Sequence, residues 1–273
     1  MSQPSLSTLS LNLEQGVAEV RLNRPDKSNA MTDAMWLEIR QAFAWVDATP
    51  EIRVAILAGE GRNFCAGIDL ALLADIQRRT AHPDGARSRE ALRRLILDMQ
   101  DCLTSVERCR KPVLAAIQGA CIGGAIDLVT CCDMRFAAAD SVFSVREIDV
   151  GLVADVGTLQ RLPRLVPEGI ARELAFTGRN FLADEAERTG LINRVFASPE
   201  ALTAAVRELA QTIAAKSPLA TRGIKEVMNY SRDHSVADGL AFVAAWNAAM
   251  LLSADLNEAI TAQREKRPPR FAD

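Results

Sequence analysis

The spacing of apolar residues changes along the chain. Val17-Ala-Glu-Val-Arg-Leu22 alternates apolar and polar positions, the two-residue period of a half-buried strand. Asn23-Arg-Pro-Asp-Lys27 is turn chemistry, and Thr32 fits the N-cap of an amphipathic helix ending near Asp47. Arg53–Ala58 has the run of a short buried strand closed by Gly59, and Phe64–Leu70 opens another helix. Residues 77–88 are expected to form a polar, mobile loop before helical spacing returns from Arg89 to about Arg110. Pro112 leads into a strand over Val113–Ile117. A helix follows from Gly123 to Cys131, then short strands at Met134–Ala137 and Val142–Val145. Beyond residue 155 the pattern is helical, with segments at 167–176, 183–188, 199–215, 218–230, 235–250 and 253–265. Strand–turn–helix units first and helices last predict an α/β core over 1–198 and a helical C-terminal region over 199–273.

Composition narrows the classes. Apolar residues make up 49% of the 273, enough for a sizeable core. A net charge of −3 gives no global basic field, so no nucleic-acid partner is expected. The apolar runs are too short to span a bilayer, so no membrane partner is expected either. The polar Met1-Ser-Gln-Pro-Ser start and the Arg270-Phe-Ala-Asp273 end match no targeting signal, which suggests a cytoplasmic protein. Six cysteines show no zinc spacing and are expected to be reduced and buried. With only His82 and His234 available, no metal site is expected.

The candidate chemistry lies in three acids set in apolar sequence: Asp127, Glu147 and Asp155. A carboxylate among Ile, Leu and Val is costly to bury unless it is paired or protonated. Each has a structural alternative: Asp127 as a buried hydrogen-bonding group, Glu147 as a solvated strand end, Asp155 as a helix N-cap. Two glycine-bearing turns, Cys65-Ala-Gly-Ile-Asp69 and Gly119-Ala-Cys-Ile-Gly-Gly-Ala125, precede expected helices. They could present converging N–H groups as an oxyanion hole, or be only tight turns. Neither fits a dinucleotide or Walker fingerprint, and no histidine is placed to serve a nucleophilic serine.

Longer stretches carry a resemblance. Leu22-Asn-Arg-Pro-Asp-Lys-Ser-Asn-Ala30, Phe64-Cys-Ala-Gly-Ile-Asp69, Lys111-Pro-Val-Leu-Ala-Ala-Ile-Gln-Gly119 and Gly157-Thr-Leu-Gln-Arg-Leu162 resemble the crotonase (enoyl-CoA hydratase/isomerase) superfamily. Cys132–Ala137 and Glu265–Phe271 extend the match over nearly the whole chain. The resemblance implies a crotonase-like spiral of ββα units with a helical C-terminal trimerisation region, assembled as a homotrimer or homohexamer. It implies an acyl-CoA substrate and no separate cofactor, coenzyme A being part of the substrate. The N–H groups of Ile68 and Gly124 would form the oxyanion hole. Ala66, Gly67, Ile68, Asp69, Leu70 and Gly124 would line the substrate path, with Lys27 and Lys266 near the CoA phosphates or simply on the surface.

Within the superfamily a hydratase has glutamates at the positions of Asp127 and Glu147, and commonly Gly at that of Asp155. The runs around Asp127 and from Glu147 to Pro163 are most similar to the Δ3,5-Δ2,4-dienoyl-CoA isomerase branch. That resemblance implies Asp155 as the base at C2, Glu147 as the acid at C6 and Asp127 as the group that tunes them. The alternatives are an enoyl-CoA hydratase using Asp127 and Glu147, or a non-catalytic acyl-CoA-binding member.

Overall fold

In the computed structural model, which describes residues 2–273, the chain opens with a hairpin. Strand β1 (Leu9–Glu14) pairs antiparallel with β2 (Val17–Leu22). The turn between them uses Gln15 and Gly16, both at positive φ, as a tight hairpin requires. β1 is a strand that the pattern above does not assign, although Leu9, Leu11 and Leu13 share one face. β2 is also more than half-buried, because both faces of the sheet are covered. The one acid within it, Glu19, is neutralised by Arg21 and Arg207.

Helix α1 (Asp33–Ala48) starts where Thr32 caps it by accepting from the Met35 N–H. Strand β3 (Val54–Gly59) follows. The expected loop at 77–88 is mostly helix instead. α2 (Leu70–Arg79) and α3 (Gly85–Arg108) leave only Thr80–Asp84 between them. Asp84 accepts from the Ala86 N–H and starts α3 four residues early, a polar cap that looks like loop composition in sequence.

Strands β4 (Val113–Ile117) and β5 (Ala120–Ile122) lead into α4 (Gly124–Thr130). β6 (Met134–Ala138) and β7 (Val142–Ser144) come next, and then a 3-10 turn over Glu147–Val150. Short α5 (Thr158–Arg161), α6 (Glu168–Thr177), β8 (Phe181–Leu182), α7 (Ala183–Thr189) and β9 (Arg194–Phe196) complete the winding. Four helices end the chain: α8 (Pro199–Ala214), α9 (Pro218–Arg232), α10 (Val236–Met250) and α11 (Ala254–Glu265). None of them is long and apolar enough to cross a membrane.

Successive strand pairs feed two sheets. The larger has the order β1-β2-β3-β4-β6-β9 and is parallel from β2 onward. The smaller is β5-β7-β8, with β5 parallel to β7. A main core fills the space between the sheets and α1, α3 and α4. A second core lies under α8, whose Leu202, Val206 and Ala210 pack on Val17, Val54, Ile56 and Leu114. Thus α8, the first helix past residue 198, is bonded to the sheet by apolar packing.

Candidate active site

Extended backbone, not a helix start, builds the first donor. Cys65 is stitched to β5: its N–H donates to the Ala120 carbonyl and its own carbonyl accepts from Ile122. Ile68 bridges Met31, with Met31 N–H on the Gly67 carbonyl and Asp69 N–H on the Met31 carbonyl. This pairing leaves the Ile68 N–H without a hydrogen-bond partner among the described residues. Helix α2 begins only at Leu70, two residues later than the donor. Buried Asn29 fixes the preceding loop by donating to the carbonyls of Glu60, Asn63 and Phe64.

The second donor sits at the first residue of α4, where an N–H has no partner in its own helix. The two turns approach closely. A Cβ added to Gly67 would lie 3.3 Å from the Gly124 nitrogen, and one added to Gly124 would lie 3.8 Å from the Ile68 nitrogen. Two N–H groups without partners therefore lie close together, as the donors of an oxyanion hole would have to. Gly67 (φ +89) is required by contact, since a Cβ there would lie 2.7 Å from the Ile122 carbonyl.

Of the other residues expected along the substrate path, Asp69 is committed elsewhere. Its Oδ1 caps α2 through the Ala71 N–H, and its Oδ2 meets Arg24 at 3.1 Å. These bonds hold its carboxyl below the usual range. Ala66 and Leu70 are exposed, while Gly67 is buried.

The three acids come from three different elements. Asp127, in the first turn of α4, is fully buried. Its Oδ1 accepts from the Thr158 N–H at 2.5 Å, and its Oδ2 has no partner. Glu147 opens the 3-10 turn, half-buried, with an unpartnered Oε2. It feels the charge of Asp127, although no hydrogen bond joins the two carboxyls. Two neighbouring carboxyls are costly to ionise together, which favours a proton on one of them. Asp155 sits on the loop before α5, its side chain in an exposed position and its carbonyl accepting from Gln100. It is not the N-cap of the next helix, a place taken by Gly157.

Burial grades their acidity. It lifts Asp127 to about 6, against the pull of the Thr158 bonds and with a push from Asp155. It lifts Glu147 to about 7, helped by the neighbouring charge of Asp127. Asp155 reaches solvent, yet partial desolvation by its neighbours raises it as well. The six cysteines are unpaired and buried, and burial pushes the Cys65 thiol up to about 12. Cys65 therefore offers no thiolate, only a small side chain whose Sγ rests on the Asn29 carbonyl.

This burial has a stability consequence with a definite sign. A folded-state carboxyl pKa above the unfolded value means that the folded protein binds the extra proton, so stability is lost as pH rises. For Asp127 the loss runs from about pH 4, its ordinary value, to about 6. Asp127→Asn keeps an acceptor for Thr158 and removes the charge. It is expected to raise Tm little at pH 4 and more at pH 8, where the buried charge costs on the order of 2–3 kcal/mol. Thermal melts across that range check it; a uniform or reversed effect contradicts the burial penalty.

The enoyl-CoA hydratase/isomerase family model matches residues 12–273. The chain belongs to that family. It is 47% identical to a protein of Arabidopsis thaliana, covering 100% of this chain and 99% of the plant protein, named peroxisomal Delta(3,5)-Delta(2,4)-dienoyl-CoA isomerase. A human protein named as the mitochondrial Delta(3,5)-Delta(2,4)-dienoyl-CoA isomerase is 44% identical over 93% of this chain and 78% of its own length. Among solved structures, an enoyl-CoA hydratase from Bacillus anthracis superposes with a TM-score of 0.87 at 29% identity, over 97% of this chain and 99% of that one. The fold expected from the resemblance, a crotonase-type α/β spiral with a helical C-terminal region, is thus the fold observed. The cytoplasmic expectation is corrected: these relatives are named for the peroxisome and the mitochondrion.

Proposed function

We propose that this family member converts a 3,5-dienoyl-CoA into the 2,4-dienoyl-CoA. The observation that carries the reading is the uneven setting of the acids: a fully buried Asp127, a half-buried Glu147 that feels its charge, and a separate, more open Asp155. A shift between C2 and C6 needs a base at one end of the diene and an acid at the other. Asp155, the more solvated carboxyl, serves as the base that takes the C2 proton. The electrons of that C–H bond move into the thioester, whose oxygen becomes an enolate held by the Ile68 and Gly124 N–H groups. Glu147, kept protonated toward neutral pH beside Asp127, delivers a proton to C6 as the double bonds move to C2 and C4. Asp155 ends protonated and Glu147 ionised, and exchange with solvent resets both. Protons alone move, so the reaction calls for no cofactor or metal beyond the coenzyme A of the substrate. The names of the 47% and 44% identical relatives support the same substrate class.

The hydratase alternative draws on Asp127 and Glu147 alone, which could orient a water. Supplying a 3,5-dienoyl-CoA and, separately, a 2-enoyl-CoA separates the two. A rise in near-ultraviolet absorbance from the conjugated 2,4-dienoyl thioester is expected with the first substrate. Rapid loss of enoyl absorbance with the second, and no change with the first, would overturn the isomerase reading. We also propose assembly as a homotrimer or homohexamer. The apolar residues Ile224, Met228, Val236 and Leu240, 62–80% exposed in the single chain, support an associating C-terminal surface.

A further inference from the structure

The segment Ala154–Thr158 carries both the Asp155 side chain and the N–H that holds Asp127. It has no strand or helix of its own before α5. Val156 and Gly157 border a cavity of about 370 Å³ that is also lined by Gln100, Glu107 and Arg161. The loop thus rests on a polar space, and side-chain bonds across that space must fix it.

Two straps do so. Gln100 of α3 donates its amide N–H to the Asp155 carbonyl at 2.6 Å. Arg161 of α5 folds back over Gly157, so closely that a Cβ there would collide with its Nη1. Gly157 has φ +136, which favours glycine for a second reason. The Arg161 guanidinium then donates to Glu107 Oε2 from Nε at 3.1 Å and Nη2 at 2.7 Å, and to Thr104 Oγ1 at 3.2 Å. Arg232 of α9 holds the other oxygen of Glu107. Gln100, Thr104 and Glu107 recur at the spacing of one helix face, so α3 is the frame for both straps. The Arg161 and Glu107 side chains are only 15% and 14% exposed. A buried pair of this kind adds little net stability over an apolar pair, so its use lies elsewhere.

We propose that Gln100 and the Glu107-anchored Arg161 are positioning residues for the proton transfer: they fix the 154–158 loop, and Arg161 supplies a positive field at the buried acids. The inference rests on the roles given above to Asp155 and Asp127. The titratable and charged groups whose charge couples to Asp127 are Glu147 from the 3-10 turn, Asp155 from the loop, Arg161 from α5 and Cys131 from the end of α4. Arg161 is the cation among them, and its charge favours ionised Asp127. Removing it therefore moves the titration of Asp127 to higher pH.

The test uses the full-length protein and the variants Arg161→Gln, Arg161→Lys and Gln100→Ala. Hydrogen exchange at the Thr158 amide and carboxyl NMR titration are measured without substrate; kcat and KM are measured with 3,5-dienoyl-CoA. Faster Thr158 exchange is expected in R161Q and Q100A. R161Q should also raise the Asp127 titration, which R161K restores. Turnover should fall roughly 10- to 100-fold through misplacement of the loop, with KM little changed. Thr158 exchange and Asp127 titration at wild-type values in both R161Q and Q100A would overturn the proposal. Q100A removes no charge, and it decides the loop question if R161Q does not fold. Failure of the wild-type protein to form the 2,4-dienoyl product would count against the function reading alone, since exchange and titration still judge the straps.

Discussion

Asp155→Asn is expected to remove nearly all of the dienoyl shift. Loss of a general base lowers kcat by about 10²–10⁴-fold, and KM should stay near its wild-type value because the amide keeps the shape. The fold has little stake in this carboxyl. The loop is tied through the Asp155 carbonyl, which Gln100 reaches, while the side chain sits in an exposed position. Melting temperature should therefore hold while turnover collapses. Stopped-flow absorbance of the 2,4-dienoyl product, with a melt as control, measures both. Full isomerase turnover in D155N would remove Asp155 from the mechanism and return the choice to the Asp127–Glu147 pair.

Gly67→Ala should be comparably severe for a different reason. The new Cβ would press on the Ile122 carbonyl at 2.7 Å and stand 3.3 Å from the Gly124 nitrogen. Neither is the end of a flexible side chain, so the backbone must give. The Ile68 and Gly124 donors are set apart by the same movement. Misplacing an oxyanion donor costs about 10²–10³-fold in kcat. Alanine at φ +89 adds backbone strain of about 1–3 kcal/mol. The expected result is a protein that folds with a lower Tm, binds acyl-CoA and turns over slowly. Unchanged kcat in a folded G67A would show that the hole does not form between these two turns.

The difference between the two variants separates what the sequence carried from what it did not. Thr32 and Pro112 are local signals, and the helix and strand they punctuate lie where expected, whereas β5 just after Gly119 is a strand that the pattern does not assign. Asp84 carries the same kind of signal, but the polar residues around it outweighed it. The free N–H of Ile68 follows from a bridge to Met31, a pairing between residues far apart in sequence that no local pattern encodes. The bond from Thr158 to Asp127 joins the first residue of α5 to the helix after β5, and only the folded chain brings them together. Asp69 shows the converse. Its side chain caps α2, chemistry that its own sequence position offers, while its place on the substrate path is implied by the resemblance alone. Arg161 stood inside a matching motif without its partner Glu107 in view.

The larger sheet has a consequence for how the chain reaches this structure. The β1–β2 hairpin is the one local pairing in it; β2–β3, β3–β4, β4–β6 and β6–β9 are parallel and need long crossovers. Non-local parallel pairing of this kind has high contact order and folds slowly. The last partners to arrive are Arg194–Phe196 and then α8, whose apolar face covers Val54, Ile56, Leu114 and Phe136. Until synthesis passes Ala210, that face has no cover, and the nascent chain displays a continuous sticky surface beside an open strand edge. Chaperone dependence and aggregation should therefore concentrate in chains stopped before α8, even though every acid of the site has already been made.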